Sequence, residues 1–189
     1  MNYSAGMGKI AGYRKEIAAV REKMRAAQAE IEPQEVQDYV FSSLDGPRKL
    51  SELFGGKDDL ILIHNMGRKC PACTMWADGF NGVYPHLADR AAFVVSSPDS
   101  PEVQREFAKS RGWRFPMVSH EGTTFAADMG YRGEKGGWLP GVSVFRRDGK
   151  RILRVSDTRF HPFDDFAGAW HLFDMLPGGS GGWMPKFTY

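Results

Sequence analysis

The chain has two cysteines in 189 residues, and both stand in one motif, Cys70-Pro71-Ala72-Cys73. Cysteine used in this way makes either a redox pair or half of a metal site. The flanking sequence constrains the fold further. The apolar run Leu60-Ile61-Leu62-Ile63 precedes the motif and reads as a buried strand. A short loop, His64 to Lys69, leads into the cysteines, and these open a helix. Pro71 suits the first helical turn, where its missing N–H would have had no partner. Cys70 then lies at the helix N-terminus, where unpaired backbone N–H groups and the positive end of the dipole favour a thiolate. Arg68 and Lys69 add positive charge beside it. Each of these influences lowers a cysteine pKa, and the thiolate is the reactive form.

Around this centre the pattern alternates between strands and helices. Met7 to Ile31 reads as one long helix with an apolar stripe at alternating spacings of three and four, ended by Pro33. Tyr39-Val40-Phe41 is a short strand, Asp45-Gly46-Pro47 a turn, and Lys49 to Phe54 a helical turn. The helix from Cys70 runs to about Phe80, is weakened at Gly79 and Gly82, and resumes near Tyr84 to Asp89, with Pro85 bending or restarting it. Ala91 to Ser96 is a strand, and Ser100 caps a helix to Ser110. Phe115 to Ser119 is extended and Thr123 to Met129 a short helix. Val142 to Arg146 and Lys150 to Val155 form a hairpin at Asp148-Gly149. The last helix runs from Phe163 to Met175, with Phe166, Trp170 and Phe173 on one face. The expected fold class is therefore α/β: a mixed central sheet flanked by helices, with an N-terminal helical arm. Three regions follow: residues 1–33 as the arm, 34–176 as the domain, and 177–189 as a Gly-rich flexible tail, with Trp183 and Phe187 either docked or loose. The arm either packs on its own domain or joins two copies as a homodimer.

Composition excludes several function classes. A net charge of +2 offers no electrostatic case for nucleic acid. The basic run Arg146 to Arg151 is broken by Asp148 and reads as a solvated hairpin tip. No apolar stretch reaches the roughly 20 residues a bilayer span requires, so no membrane partner is expected. Met1 to Gly12 lacks an apolar signal core, and the cysteine usage points to a reducing cytoplasm.

Several strings resemble known families. The segment Phe41 to Phe54, the "FP-x-V-S" string at Phe115 to Ser119 and the "D-x-G" at Asp128 to Gly130 resemble the peroxiredoxin-like branch of the thioredoxin superfamily. More closely, Asp38–Phe41 (DYVF), Cys70–Gly82 (CPACTMWADGFNG), His86-Leu87, Gly112–Ser119 (GWRFPMVS) and Pro140–Gly149 (PGVSVFRRDG) resemble a bacterial thioredoxin-like family defined only as a domain of unknown function. The likeness runs from the N-terminal helix to about Pro177 and implies a thioredoxin-like fold. It also implies a cis-proline at Pro140, opposite the cysteine loop, shaping a substrate groove. Two departures stand against direct peroxide reduction. Peroxiredoxins carry a threonine where this chain has Gly67, and an arginine after the late proline where it has Gly141-Val142. Ordinary thioredoxins place a tryptophan where Lys69 stands.

The chemistry expected is thiol–disulfide exchange, with Cys70 as nucleophile and Cys73 resolving the mixed disulfide. Substrates would be disulfides in proteins or small molecules, electrons would come from an external thiol donor, and no cofactor is expected. Trp76, one turn beyond Cys73, either lines the groove or packs on the sheet, and His64 is placed to tune Cys70. Two other readings stay open. One is a non-catalytic redox-sensing or binding module; the other is a zinc site drawn from His64, Cys70, Cys73 and His86.

Overall fold

The computed structural model describes all 189 residues. They form two compact units, Met1–Pro33 and Gln34–Tyr189. The first is a single helix, α1 (Tyr3–Ala29), capped by the Asn2 side chain on the N–H of Ala5 at 2.9 Å.

The second unit is built on a mixed eight-stranded sheet. Its strands are β1 (Gln34–Val36), β2 (Val40–Ser43), β3 (Gly46–Lys49), β4 (Asp59–His64), β5 (Ala92–Ser97), β6 (Met117–Ser119), β7 (Gly141–Asp148) and β8 (Arg151–Arg159), in the order β1-β8-β7-β4-β5-β6-β2-β3. Its helices are α2 (Pro71–Arg90), α3 (Pro101–Arg111), α4 (Phe125–Asp128) and α5 (Gly168–Phe173), with a 3-10 turn at Leu50–Phe54. The expected α/β class and the Asp148-Gly149 hairpin are both present. Strand β4 is central, parallel to β5 and antiparallel to β7. Strands β1 and β3 were absent from the sequence reading. Both lie at the sheet margins, where a strand is short and buries little, so no apolar alternation marks them. Pro47 is tolerated in β3 because an edge strand has one side without ladder partners.

Alternation along β4 divides the core. Leu60 and Leu62 point to one face, with Val94, Phe145, Leu50, Phe54, Phe125 and Tyr131. Ile61 and Ile63 point to the other, where Cys73, Trp76 and Ala77 of α2 meet Phe93, Val95 and Trp170.

Helix α2 is continuous from Pro71 to Arg90, correcting the expected break near Gly82. Pro85 lacks the N–H that would bond the carbonyl of Asn81. The guanidinium of Arg114 bonds that carbonyl instead, at 3.0 Å, and the Asn81 side chain accepts from the N–H of Arg114 at 2.9 Å. The freed acceptor is satisfied from outside the helix, so the helix carries on. Helix α5 is shorter than expected, because residues 161–166 fold into a loop around Asp164, which accepts from the N–H groups of His161 and Phe166. Beyond it Trp183 is docked, its ring 4.9 Å from Phe173 and 5.7 Å from Trp170. Arg111 also holds the carbonyl of Phe187, at 2.9 Å.

Candidate active site

The loop after β4 is shaped by short polar contacts. Asn65 Oδ1 accepts the N–H of Gly67 at 2.8 Å, and Asp99 Oδ2 accepts the N–H of Arg68 at 2.7 Å. Gly67 sits at φ +95°, and a Cβ there would lie 2.8 Å from the Asp99 carboxylate. The dihedral favours glycine, and a Cβ would also displace the Asp99 carboxylate that holds the loop. A threonine here would be strained at this φ and would push against the Asp99 carboxylate.

The chain then turns into α2 with Cys70 as N-cap. Cys70 Sγ accepts the N–H of Cys73 at 3.0 Å, and the N–H and hydroxyl of Thr74 both bond the Cys70 carbonyl at 3.0 Å. Cys70 is half-buried and Cys73 is 2% exposed; both are free thiols. The Cys70 thiol is pulled below its ordinary value by the hydrogen bond from the Cys73 thiol and by the backbone N–H groups of Cys73 and Ala72, against burial. Arg68 and Lys69 are not among the groups that lower it, so the expected help from those side chains is replaced by backbone donors. The Cys73 thiol is pushed up, first by its hydrogen bond to Cys70, then by burial and by the negative charge on Cys70. The two sulfurs are thus pushed in opposite directions, Cys70 towards the thiolate and Cys73 towards the thiol.

Of the other named residues, Trp76 is buried against the sheet. Its ring lies 5.2 Å from Phe160, and its Nε1–H donates to Asp164 Oδ1 at 3.2 Å. Asp164 was not singled out from sequence; no pattern marks it. His64 is brought to the far side of the sheet from the cysteines. It shares its face with Leu60 and Leu62, while Cys73 lies on the face of Ile63. Its Nε2 pairs with Ser143 Oγ at 2.9 Å, and its ring stacks on Tyr131 at 3.6 Å and 8°. The expectation that His64 tunes Cys70 is therefore corrected. The zinc set falls with it, since no three His, Cys, Asp or Glu side chains gather to hold a metal. Tyr131 and His120, which complete this second cluster, were also missed from sequence. His120 Nδ1 pairs with Ser96 Oγ at 2.9 Å.

Pro140 precedes β7, with Gly141 opposite His64. All peptide bonds are trans, so the cis bond implied for Pro140 is not there. The backbone around it is already engaged: Leu139 N–H donates to the carbonyl of Tyr131 at 2.9 Å, and the carbonyl of Pro140 accepts from Phe160 N–H at 2.9 Å. This locks the segment into the β7–β8 ladder.

The model of a family described as bacterial protein of unknown function (DUF899) matches residues 9–186. Solved structures with similar folds are peroxiredoxins. Reduced Prx3 from Vibrio vulnificus aligns at TM-score 0.58 and 14% identity, over 71% of this chain and 89% of that one. Peroxiredoxin Q from Xanthomonas campestris, a cysteine-to-serine mutant, aligns at 0.55 and 21%, over 65% and 80%. Peroxidoxin BcpB from Mycobacterium tuberculosis aligns at 0.52 and 30%, over 64% and 80%. No curated protein matches. The fold is thus thioredoxin-like, of the peroxiredoxin kind.

Proposed function

The chain belongs to this bacterial family of unknown function, and from that premise we propose that it is a thiol–disulfide oxidoreductase with Cys70 as nucleophile and Cys73 as resolving thiol. The observation that carries the reading is the N-cap geometry: Cys70 Sγ accepts the N–H of Cys73, and the Cys73 side chain is buried beneath it. The thiol-based chemistry of the peroxiredoxins that share this fold supports it.

In the first step the Cys70 thiolate attacks one sulfur of a substrate disulfide. A mixed disulfide forms, and the other substrate sulfur leaves as a thiolate, which takes up a proton. In the second, Cys73 gives up its proton and attacks Cys70 Sγ. The Cys70–Cys73 disulfide forms and the reduced substrate is released. An external dithiol then returns both cysteines to thiols, two electrons per cycle. The hydrogen bond to Cys70, burial and the negative charge on Cys70 favour the protonated Cys73; the first and third are lost once Cys70 is in a mixed disulfide, which delays the resolving attack until that point. Pro140 is read as flanking the groove, with Trp76 packed on the sheet behind it, and no cofactor enters the cycle. The two cysteines, both committed to one motif, fit a reducing cytoplasm, and a second copy of the chain is the expected partner through α1.

The test is reduction of a protein disulfide with dithiothreitol as electron source. Turnover in wild type, lost in Cys70→Ser, with a mixed disulfide accumulating in Cys73→Ser, is the expected result. Absence of turnover in wild type on every disulfide supplied overturns the reading. Peroxide is run as the competing oxidant, because the structural relatives are peroxiredoxins.

A further inference from the structure

Helix α1 runs for 27 residues without one that is buried. A lone helix is marginal in water even when rich in alanine. This one also carries Gly6, Gly8 and Gly12, each worth about 1 kcal/mol less than alanine in a helix interior. Its apolar residues lie on the two seam positions of a heptad: Ile10, Ile17 and Met24 on one, Tyr13, Val20 and Ala27 on the other. The five larger than Ala27 each leave between 44% and 64% of their surface exposed. The flanking positions, Met7 apart, are polar: Lys9, Glu16, Lys23 and Glu30 along one side, Arg14, Arg21 and Gln28 along the other. So narrow a stripe between polar rows is the seam of a two-helix pair, not the broad apolar face that a sheet or a membrane surface takes up.

The charges choose the geometry. In an antiparallel pair of identical helices, each flanking row faces its own copy. Put Ile17 opposite the partner's Val20. Tyr13 then meets the partner's Met24, and Ile10 the partner's Ala27. In that register Lys9 faces the partner's Glu30 and Glu16 faces the partner's Lys23, and symmetry repeats both contacts. Sliding the pair by one heptad in either direction sets lysine on lysine and glutamate on glutamate. On the other side Arg14 meets the partner's Arg21, again twice, so attractive contacts outnumber repulsive ones. In a parallel pair the two rows face each other. Lys9 would then meet the partner's Arg14, Glu16 the partner's Arg21 and Lys23 the partner's Gln28, with no net attraction. We propose that α1 is an antiparallel pairing arm for a second copy of this chain, with orientation and register set by the alternation Lys9, Glu16, Lys23, Glu30. This pairing is independent of the cysteine chemistry.

Sedimentation velocity of the full chain tests it, with wild type expected as a dimer in the micromolar range. In E16K/E30K the row is all lysine; in K9E/K23E it is all glutamate. Each alone is expected to dimerise about a hundredfold more weakly, and an equimolar mixture is expected to restore the dimer. In a parallel pair, K9E/K23E would instead tighten, because the glutamate at position 9 would face Arg14 in place of a lysine while Glu16 still faces Arg21. That tightening would sink the proposal. So would a wild type that is monomeric at every concentration, or one that is monomeric alone but sediments with vesicles of anionic phospholipid.

Discussion

Acidification from pH 7 to pH 5 is expected to remove about 4 kcal/mol of stability, through two histidines. His64 and His120 are each 2% exposed. Each makes one ring hydrogen bond, to Ser143 and Ser96, and leaves its other ring nitrogen buried without a partner. Burial is the main force against protonation. Arg154 and the other histidine add repulsion at His64, and Arg132 adds it at His120. The pKa of His120 is lowered to about 4, and that of His64 falls well below 6.5. Both stay neutral in the folded chain, whereas in the unfolded chain they take up protons below about pH 6.5. The unfolded state therefore binds more protons, and stability falls as pH drops from 6.5 towards the native values. At pH 5 an unfolded imidazole lies about 1.5 units below its pKa, worth about 2 kcal/mol per histidine. Asp128, held low by the hydroxyls of Thr124 and Tyr39, starts from 3.8 and so titrates below this window. Urea unfolding followed by circular dichroism reads the effect directly. With a slope of about 2 kcal/mol per molar urea, the midpoint should move down by about 2 M. His120→Asn, which can still hydrogen-bond Ser96, should be less stable at pH 7 yet lose only about half as much between pH 7 and 5. Coincident midpoints at the two pH values would refute the reasoning, since the imidazoles would then be accepting protons in the native state.

Three further outcomes follow from single contacts. Gly141→Ala places a Cβ against the Tyr131 ring and the Thr158 carbonyl, and thermal unfolding should show a loss of about 3 kcal/mol; a loss under about 1 kcal/mol would contradict the packing at this point. Arg114→Ala strips the donor from the Asn81 carbonyl and should cost about 1 kcal/mol, and this cost should shrink in a Pro85→Ala background, where the helix supplies its own N–H; equal costs in the two backgrounds would show that the guanidinium does not replace that bond. Iodoacetamide should label Cys70 well below its ordinary thiol pKa and leave Cys73 unlabelled in the folded chain; comparable rates at the two sulfurs, read by mass, would remove the basis for their separate roles.

Much of the sheet and of the cysteine centre was legible because the signals there are local. Asp148-Gly149 names its own turn, Ser100-Pro101 names a helix start, and Cys70-Pro71 after an apolar run places a thiol at a helix N-terminus. What stayed hidden depends on partners far along the chain. The continuity of α2 through Pro85 rests on Arg114, 33 residues beyond the carbonyl it satisfies. The loop at residues 161–166 rests on Asp164, which also holds Trp76, 88 residues earlier. Neither acid nor guanidinium stands out in a sequence with 25 Lys and Arg and 23 Asp and Glu.

His64 shows a different limit. It lies close to Cys70 in sequence, and that closeness suggested a shared site. Strand parity argues otherwise: His64 shares the face of Leu62 and Leu60, and α2 packs on the face of Ile61 and Ile63. In a half-exposed strand, alternation would have announced which parity is buried. In β4 both faces are buried, so the run Leu-Ile-Leu-Ile is apolar at every position and gives no clue to which face receives the helix. Only the chain beyond breaks the tie. Tyr131 and Ser143 claim the ring of His64 from one side of the sheet, while Cys73 and Trp76 fill the other. The sheet itself thus separates the thiol pair from the imidazole pair. In the cycle proposed above, a proton released at Cys73 has no direct route to His64, so the substrate thiolate or water must take it.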